Sequence, residues 1–360
     1  MYFDAMQNEN KDNIFKQDIQ ITMIRILKPN DFHHHLRDGK LLKMTTRTCF
    51  EKFNHVIVMP NLVPPIITID KALEYRKNIR NYENRGNPLM TLYLHKDISF
   101  ADLQRFKSLP EMIGIKYYPQ NATTNSDFGV DTIESVSHVL KTMEIEDIPL
   151  LIHGESIEYH VDIFDREKVF VSKELSKIRE LFPDLKVVLE HITTKEAVNY
   201  VLKENIHATI TPHHLLFDRN DIFRHGINPH MYCLPILKRN EDREALVKAA
   251  ISGKSNFFLG TDSAPHEEHN KLSCCGCAGI FNSPVAVEVV AELFEKHDAL
   301  DKLEQFVSTN GCDFYNLPYS DEYIELRQNP WVVPEKYDNI VPLYAGKQIK
   351  WTYTDNKINK

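Results

Sequence analysis

Eight short apolar segments recur along the chain, and segments with helical periodicity separate most of them. The strand candidates lie in ITMIRILKPNDFHHHL, NHVIVMPN, LMTLYLHK, MIGIKYYP, IPLLIHGE, KVVLEHIT, IHATITPH and NFFLGTDS. Strands that alternate with helices predict βαβ units and a parallel sheet. Eight such units in about 250 residues are typical of a closed (β/α)8 TIM barrel, an α/β fold. A doubly wound sheet is the alternative, although no G-x-G-x-x-G turn follows an early strand.

Helical periodicity is clearest in KALEYRKNIRNYE, FADLQRFKSL, TIESVSHVLKTME, VSKELSKIREL, KEAVNYVLKE, EDREALVKAAIS and PVAVEVVAELFEKH. We expect one barrel domain over residues 23–350, after a polar extension at 1–22 and before a C-terminal tail at 351–360. The stretch after residue 320 is strand-like and contains prolines. It is expected to add a short β element beside the barrel, with ITMIRIL as a candidate partner.

Composition argues against several function classes. The chain carries 43 Lys and Arg against 51 Asp and Glu, a net charge of −8, and no long basic block, so nucleic acid is not a favoured partner. No apolar run reaches the roughly 18 residues that a membrane span needs, and no signal-peptide core is present, so we expect a cytoplasmic protein. The six cysteines lack the paired spacing of a zinc ribbon and are expected to be buried or loop thiols.

Polar or ionisable residues lie at the ends of most of the predicted strands. In a (β/α)8 barrel the C-terminal strand ends meet at one mouth, where active sites are found. We therefore expect these side chains to converge on one site. They are His33, His35, Asn61, Lys116, His153, His191 and Asp262.

The segment DFHHHLRDG contains three consecutive histidines. Residues two apart on a strand point to the same side, so His33 and His35 can reach one metal ion while His34 faces away. His153, His191 and Asp262, which lie at matching strand ends, strengthen the prediction of a metal site. Imidazoles with a carboxylate favour zinc or a similar borderline metal over calcium.

Lys116 lies inside the apolar strand candidate MIGIKYYP. A buried ammonium beside metal cations is penalised by desolvation and by like charge. Two interpretations remain open from the residues alone. Either the lysine faces out or pairs with a carboxylate, or it is neutral and has reacted with CO₂. The resulting carbamate would be an anion with two oxygens that can bridge two metal ions.

Further motifs carry a family resemblance over roughly residues 23–350. They are DFHHHLRDG, IVMPNLVPP, IKYYPQNATTNS, PLLIHGE, FDRE, LEHITTK, TITPHHL, YCLPILKR, FLGTDSAPH and SCCGCAG. Together they resemble the dihydroorotases of the single-function bacterial type (class II), in the amidohydrolase superfamily. The H-x-H pair is shared across the superfamily, whereas YCLPILKR, GTDSAPH and the NATTNS loop are much more specific.

The resemblance implies two Zn²⁺ ions per subunit, held by His33, His35, Lys116, His153, His191 and Asp262. The first two histidines and the aspartate would bind the buried ion, and the other two histidines would bind the more exposed one. The lysine, as N6-carboxylysine, would bridge both ions together with a hydroxide. The aspartate would also act as the catalytic proton carrier.

On the substrate side, the resemblance implies that Arg37 binds the carboxylate of N-carbamoyl-L-aspartate or L-dihydroorotate, a role that suits its planar guanidinium. Asn61 and His266 would assist. Backbone groups at Leu234 and Ala278 would meet the edge of the pyrimidine ring.

The family also implies that Thr123 and Thr124 lie on a mobile loop, residues 121–129, that closes over the ligand. It implies a homodimer as well. Two positions depart from the family pattern. His34 stands where relatives usually have an apolar residue, and His213 stands where they often have glutamine.

Two alternatives stay open. Another cyclic-amide hydrolase, such as a hydantoinase or dihydropyrimidinase, would not need an arginine two residues after the second histidine. A non-catalytic scaffold on the same barrel typically loses metal ligands, and all six are present here.

Overall fold

A computed structural model describes residues 22–274 and 276–355. The expected extension at 1–22 lies outside the described residues except for Thr22, and so do Cys275 and residues 356–360. The strands of the described part are β1 (Met23–Leu27), β2 (Asp31–His34), β3 (His55–Val58), β4 (Asn87–Tyr93), β5 (Met112–Tyr117), β6 (Leu150–His153), β7 (Val187–Glu190), β8 (His207–Ile210), β9 (Phe257–Leu259), β10 (Tyr323–Val332) and β11 (Gln348–Asp355).

Strands β2 to β9 form an eight-stranded parallel sheet in sequential order, with helices between them. Hydrogen bonds between the end of β2 and the segment that follows β9 close the sheet into a barrel. The His35 amide donates to Ser263 O (3.1 Å), and the Asp262 amide donates to His33 O (2.8 Å). The predicted (β/α)8 barrel is confirmed.

The first strand candidate of the sequence is two strands. Pro29, which lacks an N–H, lies between β1 and β2. β1 leaves the barrel and pairs antiparallel with β10, which pairs with β11, so the predicted β addition with ITMIRIL is confirmed. β11 crosses residue 350, where the sequence analysis ends the barrel domain, and its Trp351 is fully buried. The division into three regions stays a prediction.

The α-helices of the described part are α1 (Leu42–Lys52), α2 (Ile69–Arg80), α3 (Phe100–Phe106), α4 (Ser137–Ile145), α5 (Arg166–Phe170), α6 (Ser176–Leu181), α7 (Lys195–Glu204), α8 (Pro212–Leu216), α9 (Asn220–Phe223), α10 (Asn240–Ala250), α11 (Glu268–Lys271), α12 (Ala286–Lys296) and α13 (Asn310–Tyr315). A π-turn at Val171–Leu175 joins α5 to α6, and another at Gln305–Thr309 precedes α13. Shorter 3₁₀ turns lie at Ile133–Val136, Pro229–Met231 and Leu300–Lys302. Each predicted helical segment contains helix.

Local sequence explains where α7 begins and ends. The Thr194 side chain accepts a hydrogen bond from the Ala197 amide at the first turn, and Asn205 ends the helix in the left-handed region at φ 50°. No helix of the described residues has the length and apolarity to cross a bilayer.

The interior of the barrel is packed rather than hollow. Its lower half is filled by apolar side chains, namely Phe32, Ile57, Met59, Leu89, Leu151, Val188 and Phe258, with Cys312 and Tyr315 beneath them. This close-packed apolar cluster lies against the polar residues at the strand ends, so it restricts the movement of their side chains.

Candidate active site

Four imidazoles form a row across the mouth of the barrel. Ring centroids are 5.2 Å apart for His35 and His33, 4.9 Å for His33 and His191, and 4.8 Å for His191 and His153. All four side chains are buried. The predicted convergence of histidines from β2, β6 and β7 is therefore present.

The Nδ1 atoms of His33 and His35 each contact a hydrogen-bond acceptor. His33 Nδ1 lies 2.6 Å from a Glu190 carboxylate oxygen, and His35 Nδ1 lies 2.8 Å from Asn61 Oδ1. When each Nδ1 donates its proton to its acceptor, the Nε2 atom of the same neutral ring is unprotonated and carries a lone pair. Both Nε2 atoms face Asp262 Oδ1, at 3.4 Å from His33 and 3.1 Å from His35. Three acceptors this close need a cation between them, either a proton or a metal ion.

The pKa values of these groups respond to the same crowding. Burial alone would raise the pKa of Asp262, but contacts with His33 and His35 hold it well below its ordinary value. Burial opposes protonation of His33, yet Glu190 and Asp262 leave its pKa raised. Burial lowers the pKa of His35 to about 3. In the metal-free protein a proton at His33 can therefore occupy the place of a cation.

The other half of the row is organised differently. His153 Nε2 lies 2.8 Å from Glu155 Oε2, so donation there leaves its Nδ1 lone pair available. The buried His191 Nδ1 and Lys116 Nζ have no hydrogen-bond partner among residues 22–274 and 276–355. Lys116 is fully buried, and its Nζ lies 5.2 Å from the centroid of the Tyr118 ring.

These unpaired atoms fit a metal site. Buried nitrogen atoms normally have partners, so His191 Nδ1 and Lys116 Nζ call for a ligand at the barrel mouth. Imidazole nitrogens with one carboxylate are a donor set that zinc accepts. Burial lowers the pKa of Lys116 from the ordinary 10.5 to about 8, although Glu190 and Asp262 oppose this. The lysine thus holds its proton loosely.

Two of these residues lie in backbone conformations that are uncommon outside glycine. His191 has φ 41° and Asp262 has φ 46°. The His191 amide is held by Thr209 Oγ1 at 2.6 Å, and the Asp262 amide by the His33 carbonyl. Such strained residues cluster at functional sites because the surrounding structure must hold them in place.

Arg37 also lines this cavity, although it lies outside strand β2. Strand β2 ends at His34, and Arg37 has φ 61°, so strand alternation does not extend to it. Its Nε donates to Pro265 O at 3.2 Å, and Tyr75 donates its hydroxyl proton to the Arg37 carbonyl. Arg37 therefore enters the cavity from a turn that follows the strand, and not through the alternation that places His33 and His35.

His266 lies between Arg37 and the loop after β9. Its Nε2 is 2.9 Å from Arg37 Nη2 and 3.0 Å from Ala278 O. Burial and the nearby Arg37 lower the pKa of His266 to about 3, so the ring is neutral. One neutral ring nitrogen cannot accept from the guanidinium and donate to the carbonyl together. When Nε2 carries the proton, the guanidinium is free to bind another acceptor.

The loop at 121–129 lies over the cavity, tied to Asn61. Asn61 Nδ2 donates to Thr124 O (3.1 Å), and Asn125 Nδ2 donates to Asn61 O (3.0 Å). Thr123 is held by its amide, which donates to Ser126 Oγ (2.9 Å). Asn61 therefore connects the loop to His35.

The cavity is lined by His33, His35, Arg37, Asn61, Tyr118, Thr123, Thr124, His153, His191, Leu234, Asp262, Ala264, Ala278 and Gly279. Of the residues expected from the sequence, Lys116 and His266 lie next to this lining rather than in it. The roles of all these residues stay predictions.

Sequence reasoning missed three residues that shape the site. Tyr118 lies two positions after Lys116, so strand alternation could have placed both on one side. Glu190 and Glu155 hold the outer nitrogens of His33 and His153. Each acidic residue lies within two positions of a candidate ligand, and histidine ligands commonly have carboxylate partners, so this signal was present.

Two other buried clusters hold histidine and cysteine within ligand distance of one another: Asp31, His34 and Cys49, and His213, His214 and Cys233. Both have internal hydrogen bonds, although His34 Nε2 and His213 Nε2 have no hydrogen-bond partner among the described residues. His34 Nδ1 is 2.7 Å from Asp31, whose carboxylate also accepts from the Thr261 amide. His214 contacts the Thr211 hydroxyl (2.8 Å) and Pro235 O (2.9 Å) through its two ring nitrogens.

Sequence relatives identify the family of this chain. No family model matches the chain. The chain is 49% identical to the dihydroorotase of Idiomarina loihiensis over 337 residues, which cover 91% of this chain and 98% of that one. The chain belongs to the dihydroorotase family.

Solved structures of dihydroorotases agree. The Saccharomyces cerevisiae dihydroorotase, crystallised with 5-fluoroorotic acid, superposes with a TM-score of 0.88 at 32% identity, over 93% of this chain and 99% of that one. The Campylobacter jejuni dihydroorotase superposes with a TM-score of 0.85 at 36% identity, over 92% and 97% of the two chains. The resemblance read from the motifs is confirmed.

The hydantoinase alternative is weaker by the same measure. An L-hydantoinase from Arthrobacter aurescens superposes with a TM-score of 0.75 but at 13% identity, a likeness that shows the fold alone. Dihydroorotases are hydrolases that act on a small molecule. Their family implies a metal cofactor, and His33, His35 and Asp262 form a candidate ligand group for one.

Proposed function

We propose that this chain is a zinc-dependent dihydroorotase that interconverts N-carbamoyl-L-aspartate and L-dihydroorotate, with water as the second product of cyclisation. The observation that carries the proposal is one cavity lined by four imidazoles, an aspartate and an arginine. The metal-binding groups supply the hydrolytic chemistry, and the guanidinium supplies recognition of a carboxylate. The reaction would belong to the de novo pathway to UMP.

Two zinc ions would be held by residues of the row. His33, His35 and Asp262 would bind one ion, and His153 and His191 would bind the other. A carboxylated lysine and a hydroxide would bridge the pair. When bound, zinc supplies a hydroxide at neutral pH and polarises the carbonyl of the scissile amide.

Lys116 supports the bridging assignment through its burial and its unpaired Nζ. A neutral amine attacks CO₂, forming an N–C bond and releasing one proton, and a lysine with a lowered pKa has a larger neutral fraction near pH 7 than an ordinary lysine has. The two carbamate oxygens would then carry the negative charge that two cations require. The rings of His191 and His153 lie 4.8 Å apart, and their Nδ1 lone pairs would complete the donor set.

Asp262 would move the proton. In the hydrolytic direction its carboxylate would accept a proton from the attacking hydroxide and give it to the leaving ring nitrogen. In the biosynthetic direction it would accept the ureido proton as that nitrogen attacks the side-chain carboxylate. Its low pKa keeps it ionised and ready to accept.

Recognition of the substrate would involve the other side of the cavity. Arg37 would bind the carboxylate attached to the ring, assisted by Asn61 and His266. The backbone at Leu234 and Ala278 would pair with the edge of the ring, and Thr123 and Thr124 on the covering loop would close over the ligand.

Steady-state turnover of dihydroorotate, dihydrouracil and hydantoin by the purified protein, with its zinc content, tests the proposal. We expect turnover of dihydroorotate and of N-carbamoyl-L-aspartate, with far weaker activity on the two rings that lack a carboxylate. Comparable turnover of dihydrouracil would favour the dihydropyrimidinase alternative. Bound metal without turnover of any of the three would favour a non-catalytic scaffold.

Two further parts of the proposal rest on the family resemblance alone. The chain would work in the cytoplasm, and it would form a homodimer. Sedimentation equilibrium of the full chain tests the second part, because a monomer at micromolar concentration would exclude a stable dimer.

A further inference from the structure

One lysine near the active site has no part in the chemistry proposed above. Lys271 ends the short helix α11 in the loop after β9, and its side chain is 4% exposed. Its Nζ donates to three backbone carbonyls, Tyr232 O at 2.8 Å, Cys277 O at 2.9 Å and Gly279 O at 2.7 Å. An ammonium has three N–H donors, so all of them are used on these carbonyls.

The three carbonyls belong to two separate segments that form one wall of the cavity. Tyr232 lies two residues before Leu234, and Cys277 and Gly279 flank Ala278. Leu234 and Ala278 both line the cavity. The Gly279 amide also donates to Tyr232 O at 3.0 Å, so that carbonyl is shared between the lysine and the opposite segment. Lys271 therefore ties together the two backbones that the proposed substrate ring would contact.

The carbonyl directions also determine what Ala278 presents. The carbonyls on either side of Ala278 point to Lys271, whereas its own carbonyl contacts His266 Nε2. Releasing Lys271 would free this short segment to rotate, because its neighbouring carbonyls would lose their donor. The polar groups at Ala278 would then lose their fixed orientation towards the cavity.

The ammonium of Lys271 also places a buried positive charge behind this wall of the cavity. Its hydrogen bonds go to neutral carbonyls rather than to a carboxylate, so the cation remains uncompensated by its direct partners. Burial lowers the pKa of Lys271 to about 8. A join between two loops alone would not need a buried cation, whereas a wall that faces an anionic substrate gains from one.

We propose that Lys271 is a positioning residue for substrate binding, which fixes the Leu234 and Ala278 backbones against the ring and holds a positive charge behind them. The inference rests on the proposed dihydroorotase activity, since it concerns the substrate wall of that site. Its loss should weaken binding more than it slows the chemical step, because Lys271 touches no reacting atom.

Kinetics of Lys271→Met with dihydroorotate test the assignment. We expect KM to rise about 10- to 100-fold, the range for losing charged hydrogen bonds that order a binding site, while kcat changes only a few-fold. Metal content should equal that of the wild type. Lys52→Met is the matched control, because Lys52 is also buried (7% exposed) but pairs with Glu288 away from the cavity lining. It should lower the melting temperature and leave KM unchanged.

The outcomes separate the two proposals. If the wild type does not turn over dihydroorotate, the proposed function fails and Lys271 loses its role with it. If the wild type is active but Lys271→Met keeps a normal KM, only the Lys271 assignment is overturned. Should Lys271→Met not fold, Lys271→Gln, which keeps two N–H donors without the charge, is measured by the same criteria. Failure of both to fold would also overturn it, since the lysine would then serve the fold.

Discussion

Replacing Lys116 with methionine should abolish activity and yet stabilise the metal-free protein. The side chain is fully buried, and its Nζ has no hydrogen-bond partner among the described residues. Methionine has similar length and volume and carries no charge to desolvate, so the barrel can accept it with little repacking. The activity is expected to vanish because the proposed bridging carbamate cannot form.

The size of the stabilisation follows from the pKa of Lys116. Burial lowers that pKa from 10.5 in the unfolded chain to about 8 in the folded one. The unfolded chain therefore binds the proton more tightly, and protonation favours unfolding. At pH 7 the difference corresponds to about 3 kcal/mol of the free energy of unfolding, which the methionine variant would regain. The penalty is complete below pH 8, declines between pH 8 and 10.5, and is absent above.

Chemical denaturation of both proteins after chelation, in buffer depleted of CO₂, measures this. We expect Lys116→Met to exceed the wild type by about 3 kcal/mol at pH 7 and by only about 1 kcal/mol at pH 9.5. Lys52→Met serves as the control of opposite sign, because Lys52 pairs with the buried Glu288 and its loss leaves that carboxylate uncompensated. A methionine variant no more stable than the wild type at pH 7, or a gap that does not shrink with pH, would refute the reasoning. Retained activity would refute the bridge.

Three more variants test individual roles. Asp262→Ala should lose turnover by about 1000-fold while retaining much of its metal, because the proton carrier is gone, and normal turnover with full zinc would remove that role. Arg37→Met should raise the KM for dihydroorotate about 100-fold, and an unchanged KM would place the substrate carboxylate elsewhere. Glu190→Gln should weaken zinc binding about 10- to 100-fold in a chelator competition, since His33 loses its carboxylate partner, and wild-type affinity would contradict this.

The convergence of the candidate metal ligands could be predicted because two regular periodicities place them. Strand alternation separates His33 and His35 from His34, and parallel strands bring His153 and His191 to the same end of the barrel. Neither step requires knowledge of the packing. The eight-strand rhythm and the H-x-H spacing were therefore sufficient to bring these residues together.

The sequence was less informative where the chain leaves regular structure. Arg37 was assigned to the cavity, but its positive φ comes from a turn that no periodicity describes. Helix α1 lacks a clear apolar stripe because its buried face includes Thr45 and Thr46, whose burial depends on packing against the barrel. The three carbonyls around Lys271 lie in two loops distant in sequence, and only the folded chain brings them together.

Several groups of the candidate site destabilise the folded chain for the same reason, because their polar atoms are buried without a cation or a hydrogen-bond partner in the part of the chain that the structure describes. His33, His35 and Asp262 bring lone pairs together, and the Nζ of Lys116 and Nδ1 of His191 are buried without hydrogen-bond partners among the described residues. Each arrangement destabilises the metal-free chain and is relieved only by a cation or by CO₂. A ligand that binds the folded state alone stabilises it by mass action, so metal and CO₂ should raise the free energy of unfolding. The same groups that destabilise the metal-free chain would therefore provide the affinity for a metal cofactor.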